Sequence, residues 1–203
     1  MSDISVDHYR EQHKLRLAYM PWLYRRLKPQ QRAWAEPWQQ AIQTHIMAME
    51  TVQFDDDCFV APSAVLLAEP GRRIQVGAGS QIAADCVLHG PITLGQQVSI
   101  NHHATLDGGA AGITVGDHSR IAAYCTIYAF NHGMAPERLV HQQPVTSKGI
   151  RIGRDVWIGA QVAIVDGVTI GDGAIVGTAA VVTRDVPAGV KVAGNPAQII
   201  GSR

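Results

Sequence analysis

The stretch IGRDVWIGAQVAIVDGVTIGDGAIVGTAAVVTRDVP, residues 152–187, places an aliphatic residue at every sixth position: Ile152, Ile158, Ile164, Ile170, Val176 and Val182. Small and polar residues stand between them, with Gly frequent directly after the aliphatic one. An amphipathic helix spaces its apolar residues by three and four, and a half-buried strand alternates them; neither template fits. A fixed short period of glycine-rich units is the pattern of a solenoid, in which each repeat buries its apolar residue against the next.

The period extends towards the N-terminus. It runs from Phe54 (FDDDCF, VAPSAV, LLAEPG) and resumes after four extra residues at Val76 (VGAGSQ through INHHAT and LDGGAA). After three more it resumes at Val115 (VGDHSR, IAAYCT, IYAFNH). Read as short strands joined by tight turns, the first position of each unit stacks inside the coil. The fifth lies inward near a corner, where only a small side chain fits, and Gly, Asn and Asp suit the turns. All three cysteines, Cys58, Cys86 and Cys125, occupy the fifth position and are expected as small buried packing groups. Their odd number and the absence of a CxxC spacing argue against a disulfide framework and for a reducing cytoplasm.

Composition narrows the function classes. The chain of 203 residues has 17 basic and 17 acidic residues, which argues against nucleic acid or an anionic membrane as an obligatory partner. Charged residues make up 17% against the ~25% usual in soluble domains, and 46% are hydrophobic, so part of the surface is expected to be buried against another subunit. No apolar run reaches the ~18 residues of a membrane span. The opening MSDISVDHYREQHK lacks the apolar centre of a secretory signal.

Residues 1–53 differ from the rest. Trp34, Trp38, Ile42, Ile46 and Met49 recur at helical spacing, while Pro21, Pro29 and Pro37 divide the region or start its turns. Arg25, Arg26 and Lys28 read as a solvated face or as a contact for lipid or polyphosphate. The first coil of a solenoid exposes an unpaired edge, so this helical extension is expected to cap it. The expected organisation is therefore an all-β solenoid over 54–187 with an N-terminal α-helical extension over 1–53. A loop over 132–151 interrupts the solenoid, and a tail covers 188–203.

The run over 152–187, followed by AGNPA at 193–197, resembles the hexapeptide-repeat acyltransferases over residues 54–203. The resemblance is strongest to the maltose and galactoside O-acetyltransferase type and its polysaccharide O-acetyltransferase relatives. It implies a left-handed parallel β-helix, a homotrimer and active sites between neighbouring subunits. The handedness rests on the resemblance alone, since general sterics favour a right-handed crossover in ~98% of cases.

The period breaks at AFNHGMAPE, residues 129–137. Long irregular loops in compact domains are commonly functional. Acyl transfer from a thioester to a hydroxyl needs a base and a donor for the developing oxyanion, and an imidazole titrates in the right range for the first task. The resemblance places the catalytic histidine at His132, with Pro136 and Glu137 at the family spacing. Asn131, His132 and Met134 also match the Asn-His-x-Met segment of xenobiotic acetyltransferases. Glu137 stands either to orient the imidazole or as a solvated carboxylate. In INHHATLD the resemblance assigns Asn101 and Asp107 to the acceptor; His102 and His103 are turn residues without an assigned role.

For the donor, acetyl-CoA, the resemblance gives Trp157, Gly159, Ala160, Thr178, Thr183 and Arg184, with Ala160 standing where a serine is common. Gln198 and Gly201 occupy places where relatives carry phosphate-binding arginines, leaving Arg203 or Lys191 as substitutes. The expected activity is acetyl-CoA-dependent O-acetylation of a sugar or polysaccharide precursor, by direct attack and with no metal. The alternatives are an antibiotic O-acetyltransferase, a γ-type carbonic anhydrase and a non-catalytic trimeric scaffold. The second needs three zinc-binding histidines that His102, His103 and His118 do not space correctly, and the third is favoured by the missing arginines.

Overall fold

The computed structural model describes residues 6–203 of the chain; residues 1–5 of the N-terminal segment lie outside them. The chain winds into a left-handed parallel β-solenoid, preceded by an α-helical extension. Each coil contributes one short strand to each of three faces. The first face stacks Val52–Phe54, Ile74–Val76, Ile92–Leu94, Ile113–Val115, Ile150–Ile152 and Thr169–Ile170. The second runs from Phe59–Val60 through Gln81–Ile82, Ser99–Ile100, Arg120–Ile121, Trp157–Ile158 and Ile175–Val176 to Val190–Ala193. It ends on an antiparallel strand, Gln198–Ser202. The third holds Val65–Leu67, Val87–His89, Thr105–Asp107, Thr126–Tyr128, Ala163–Ile164 and Val181–Val182.

The six-residue period sets this register. Val60, Ile82, Ile100, Ile121, Ile158, Val176 and Val192 pair in succession on the second face, and all are buried. Burying each such side chain contributes about 1.5–3 kcal/mol. The fifth positions also point inward, and several bond across coils. Cys86 Sγ donates to the Asn101 carbonyl at 3.1 Å and Cys125 Sγ to that of Gly159 at 3.1 Å. Ser80 and Ser119 do the same through their hydroxyls, to Gly95 and Gly153, each at 2.8 Å. Burial pushes the Cys58 thiol up to about 11 and that of Cys86 up to about 12. Coils approach closely at glycines that follow first-face strands: a Cβ on Gly77 would lie 2.6 Å from the Gly95 carbonyl carbon.

The extra residues all leave at one corner, between the third face and the first. Leu67 to Ile74, Asp107 to Ile113 and Tyr128 to Ile150 are the lengthened passages, while His89 to Ile92 is short. Strand register is restored after each one.

Helix α1 (Val6–Tyr19) and helix α2 (Pro29–Met49), joined by a 3-10 turn at Pro21–Arg26, cover the start of the solenoid. Leu17, Ala18, Tyr24 and Ala35 form a second buried cluster with Phe59, Ala61 and Ala84. The edge of the first coil is met by side chains of α2 and its C-terminal end. Gln39 pairs with the Val60 backbone, Gln43 Nε2 donates to the Cys58 carbonyl at 2.9 Å, and Glu50 accepts from Ala68 N–H at 2.7 Å. Two details differ from the pattern in the sequence. Met49 is 72% exposed because it lies at the helix end, whereas Ile42 and Ile46 pack on the core. Pro37 sits inside α2 rather than at a boundary, flanked by Trp34 and Trp38, whose rings pack on each other, with Trp38 also edge-on to Phe59.

Candidate active site

After Thr126–Tyr128 the chain leaves the solenoid. Asn131–His132 pairs antiparallel with Val145–Thr146, so the excursion is closed at its neck. Gln143 holds its interior: Oε1 accepts from Ala135 N–H at 2.8 Å, and Nε2 donates to the carbonyls of Ala135 and Arg138 at 3.0 and 2.9 Å. Ser147 fixes the neck to the coil below. Its Oγ donates to the Ala129 carbonyl and accepts from Ala110 and Ala111 N–H at 3.0 and 2.9 Å. Asp166, from the coil above, accepts from the backbone N–H groups of Lys148 and Gly149. Gln143 and Ser147 read in sequence as ordinary loop polar residues, and Asp166 as a turn residue of its repeat.

His132 is exposed on this neck, its ring edge-on to Phe130 at 6.0 Å between centroids. Among the described residues no hydrogen bond or ion pair joins Glu137 to it. The loop also exposes Met134, Leu139, Val140 and Val145. Asp107 ends a third-face strand one coil below the neck, where it accepts from Gly109 N–H at 3.0 Å and lies 3.2 Å from His89 Nδ1. Asp107, His132 and Glu137 therefore lie along the third–first corner or in the loop that leaves it. Thr183 and Arg184, both exposed, follow the last third-face strand at the same corner.

The other expected residues lie elsewhere. Trp157 points outward from the second face, 56% exposed, in register between Arg120 and Ile175. Lys191 continues that column beyond Ile175. Gly159, Ala160 and Thr178 occupy the second–third corner, where Ala179 N–H donates to the Ala160 carbonyl at 2.8 Å. A Cβ on Gly159 would lie 2.7 Å from Thr178 N. Asn101, half-buried, is at this corner too. Arg203 is bound to Asp155, with Nη2 2.9 Å from Oδ2 and Nη1 donating to its carbonyl at 2.8 Å, which leaves Lys191 as the freer cation. Gln198 and Gly201 lie in the closing antiparallel strand.

The second–third corner also carries an aromatic shelf. His103 stacks on Tyr124 with centroids 4.8 Å apart, His102 stands edge-on to both, and Tyr19 from α1 lies 5.6 Å from His102. Tyr19 Oη donates to Asp85 Oδ2 at 2.8 Å. Burial first, and then the neighbouring His103, hold the His102 imidazole below the ordinary histidine range. Asp85, His103 and Tyr124 adopt positive φ, as do Gln161 and Ala179 further along the same corner, so this is the turn conformation that the coils repeat.

Known proteins show the same architecture. The family model described as bacterial transferase hexapeptide (six repeats) matches residues 149–184. Nodulation protein L of Rhizobium meliloti is 43% identical over 114 residues, 53% of this chain, and the match spans 61% of that protein's length. AntD, an N-acyltransferase from Bacillus cereus solved with dTDP and 3-hydroxybutyryl-CoA, superposes with a TM-score of 0.69 at 25% identity, covering 79% of this chain and 88% of its own. A hexapeptide-repeat acetyltransferase from Vibrio cholerae gives 0.55 at 25% identity, covering 96% and 88%. The chain therefore shares the left-handed β-helix fold of these acyltransferases, carries the hexapeptide transferase repeat over residues 149–184, and spans less than two thirds of the length of the curated relative it matches.

Proposed function

We propose that this protein is a CoA-dependent acyltransferase that moves an acetyl group from acetyl-CoA to a hydroxyl of a sugar or sugar derivative, with His132 as general base. The observation that carries the reading is the division of the site between two corners. His132, Glu137, Asp107, Thr183 and Arg184 belong to one corner, and Asn101, Gly159, Ala160 and Thr178 to the other, beside Trp157. The third face lies between the two groups. A head-to-tail contact that sets one corner of a subunit against the other corner of its neighbour unites them and closes into a ring. The exposed Met134, Leu139 and Val140 on one side and Trp157 and Tyr124 on the other suit such a contact. The active unit on this reading is a cytoplasmic homotrimer with intersubunit sites.

In the reaction, His132 takes the proton of the acceptor hydroxyl as the oxygen attacks the thioester carbonyl. The tetrahedral oxyanion then collapses, the C–S bond breaks, and the imidazolium returns the proton to the CoA thiolate. Trp157 supplies an apolar face for the donor and Lys191 a cation for its phosphates. The buried cysteines, with thiols raised by burial, are not placed to act as covalent nucleophiles. AntD, named an N-acyltransferase, favours a second reading in which the acceptor is an amino sugar.

Calorimetric titration with acetyl-CoA tests the proposal. Saturable binding at one site per chain is expected, followed by acyl transfer to hydroxyl rather than amine acceptors. Absence of binding at millimolar acetyl-CoA, under conditions where the trimer is intact, would leave the scaffold reading or a different donor.

A further inference from the structure

Three coils meet in a charged column at the third–first corner. Leu67, His89 and Asp107 are paired residues on successive strands, and Glu69 and Arg72 belong to the lengthened passage just after Leu67. His89 Nδ1 lies 3.2 Å from Asp107 Oδ2, and its Nε2 lies 3.1 Å from Glu69 Oε1. An ionised carboxylate only accepts hydrogen bonds. Both contacts are therefore hydrogen bonds only when both ring nitrogens carry protons. In that state His89 has no lone pair to serve as a base; it is a double donor. Arg72 closes the figure, with Nε 3.4 Å from Glu69 Oε2 and Nη2 3.8 Å from Asp107 Oδ1.

The column fixes Asp107, the carboxylate at the start of the second lengthened passage. Asp107 is held through Oδ2 by His89 and through Oδ1 by Gly109 N–H, and its side chain is 22% exposed. A carboxylate offers about four acceptor positions, so capacity remains for a substrate hydroxyl. The turn that Asp107 caps is the one Ser147 ties to Ala129 at the loop neck. His132 stands on that neck. The acceptor-binding carboxylate and the base are thus mounted on one frame, and His89 sets the carboxylate within it.

We propose that His89 is a positioning residue for Asp107, holding its carboxylate where it accepts a hydrogen bond from the acceptor hydroxyl next to the one His132 deprotonates. This rests on the reading of Asp107 as acceptor-binding. The test uses two substitutions that divide the two bonds. In His89→Asn the side-chain amide N–H stands near the place of Nδ1 and keeps the bond to Asp107. In His89→Gln it reaches the place of Nε2 and keeps the bond to Glu69. Each variant loses one of two contacts, so a purely structural role predicts equal effects.

Acetyl transfer is measured to the methyl glycosides of glucose, galactose and N-acetylglucosamine. The expected result is an acceptor KM within about three-fold of wild type for His89→Asn and raised roughly ten-fold or more for His89→Gln. The KM for acetyl-CoA is unchanged in both, and His89→Gln adds nothing on an Asp107→Asn background. Equal acceptor KM values for the two variants in an active protein would overturn the proposal. If wild-type protein binds acetyl-CoA but acylates none of the glycosides, the acceptor reading itself fails. Nitrogen NMR of the histidine ring then decides the geometry separately: a proton on His89 Nδ1, hydrogen-bonded to Asp107, is expected in wild type. A wild-type ring with no proton on Nδ1 would overturn the proposal as well.

Discussion

Gln39 and Val60 exchange two hydrogen bonds: the Val60 N–H donates to Gln39 Oε1 at 2.8 Å, and Gln39 Nε2 donates to the Val60 carbonyl at 3.1 Å. A primary amide presents the same donor and acceptor as a peptide group, so one side chain of α2 stands in for the strand that the first coil lacks. Gln39 is 1% exposed, and water does not replace it. Gln39→Leu keeps the bulk and strands two buried backbone groups, each costing about 1–3 kcal/mol. The expected loss is roughly 2–6 kcal/mol, read from urea denaturation midpoints; a change below about 0.5 kcal/mol, the scale of an ordinary surface substitution, would be incompatible with this role. Removing residues 1–50 is expected to produce aggregates through the uncovered edge.

His132→Ala is expected to lower turnover by at least ~100-fold, the usual size of a general-base effect, with acetyl-CoA affinity unchanged. Near-normal turnover would remove His132 from the mechanism. Glu137→Gln is expected to cost less, because Glu137 does not bond the imidazole within one chain.

Ser147→Ala removes three bonds at the loop neck at once. The expected outcome is faster proteolysis within residues 133–143 and a fall in kcat of about ten-fold, equivalent to ~1.4 kcal/mol in the barrier. Unchanged cleavage and unchanged kcat together would show that Gln143 and Asp166 hold the loop without Ser147.

Tyr19 and Asp85 give a pH dependence with a definite sign. The hydrogen bond from Tyr19, and then that of Ser63, hold the Asp85 carboxyl below its ordinary value, while the same bond raises the Tyr19 phenol. A depressed carboxylate stabilises the fold above the unfolded value of about 3.9 and loses that contribution as pH falls through the folded value. The phenol, raised in the folded chain, contributes below its unfolded value near 10 and loses its contribution as pH rises through the folded one. The stability difference between wild type and Tyr19→Phe, followed by thermal melts, is therefore expected to be flat near neutrality and to shrink at both extremes. A difference that grows on acidification would contradict the assignment.

The three thiols are expected to resist a disulfide reagent in the native protein at pH 8 and to react fully in denaturant, since all are buried and their thiolates are disfavoured. A fast-reacting thiol in the native state would show a coil that opens locally.

The solenoid was legible because periodicity decides burial one residue at a time. Ile82, Ile100 and Ile121 stack inside for the reason that they recur, and Cys86 and Cys125 share a corner for the same reason. His132 was legible because it stands where the period fails. Gln39 was not: nothing on a polar helical position reveals that a bare strand edge waits opposite. Nothing in the sequence singles out His89, since Glu69 and Asp107 reach it only through the stacking of coils. Ser147 and Asp166 were hidden for the same reason, their partners being backbone groups of other turns. The family positions from Asn101 to Arg184 were named one by one, but their separation onto two corners is a property of the winding and has no trace in the order of residues.

All three lengthened passages leave at the same corner, and the strand ladders resume in register beyond each. The chain thus separates the dimension that is conserved in geometry from the dimension free to vary in length. An insertion within a strand would disturb the rungs; at this edge it disturbs none. The edge can be lengthened, shortened or exchanged as a cassette while the scaffold keeps its count, so specificity can drift in such a protein without any renegotiation of its core.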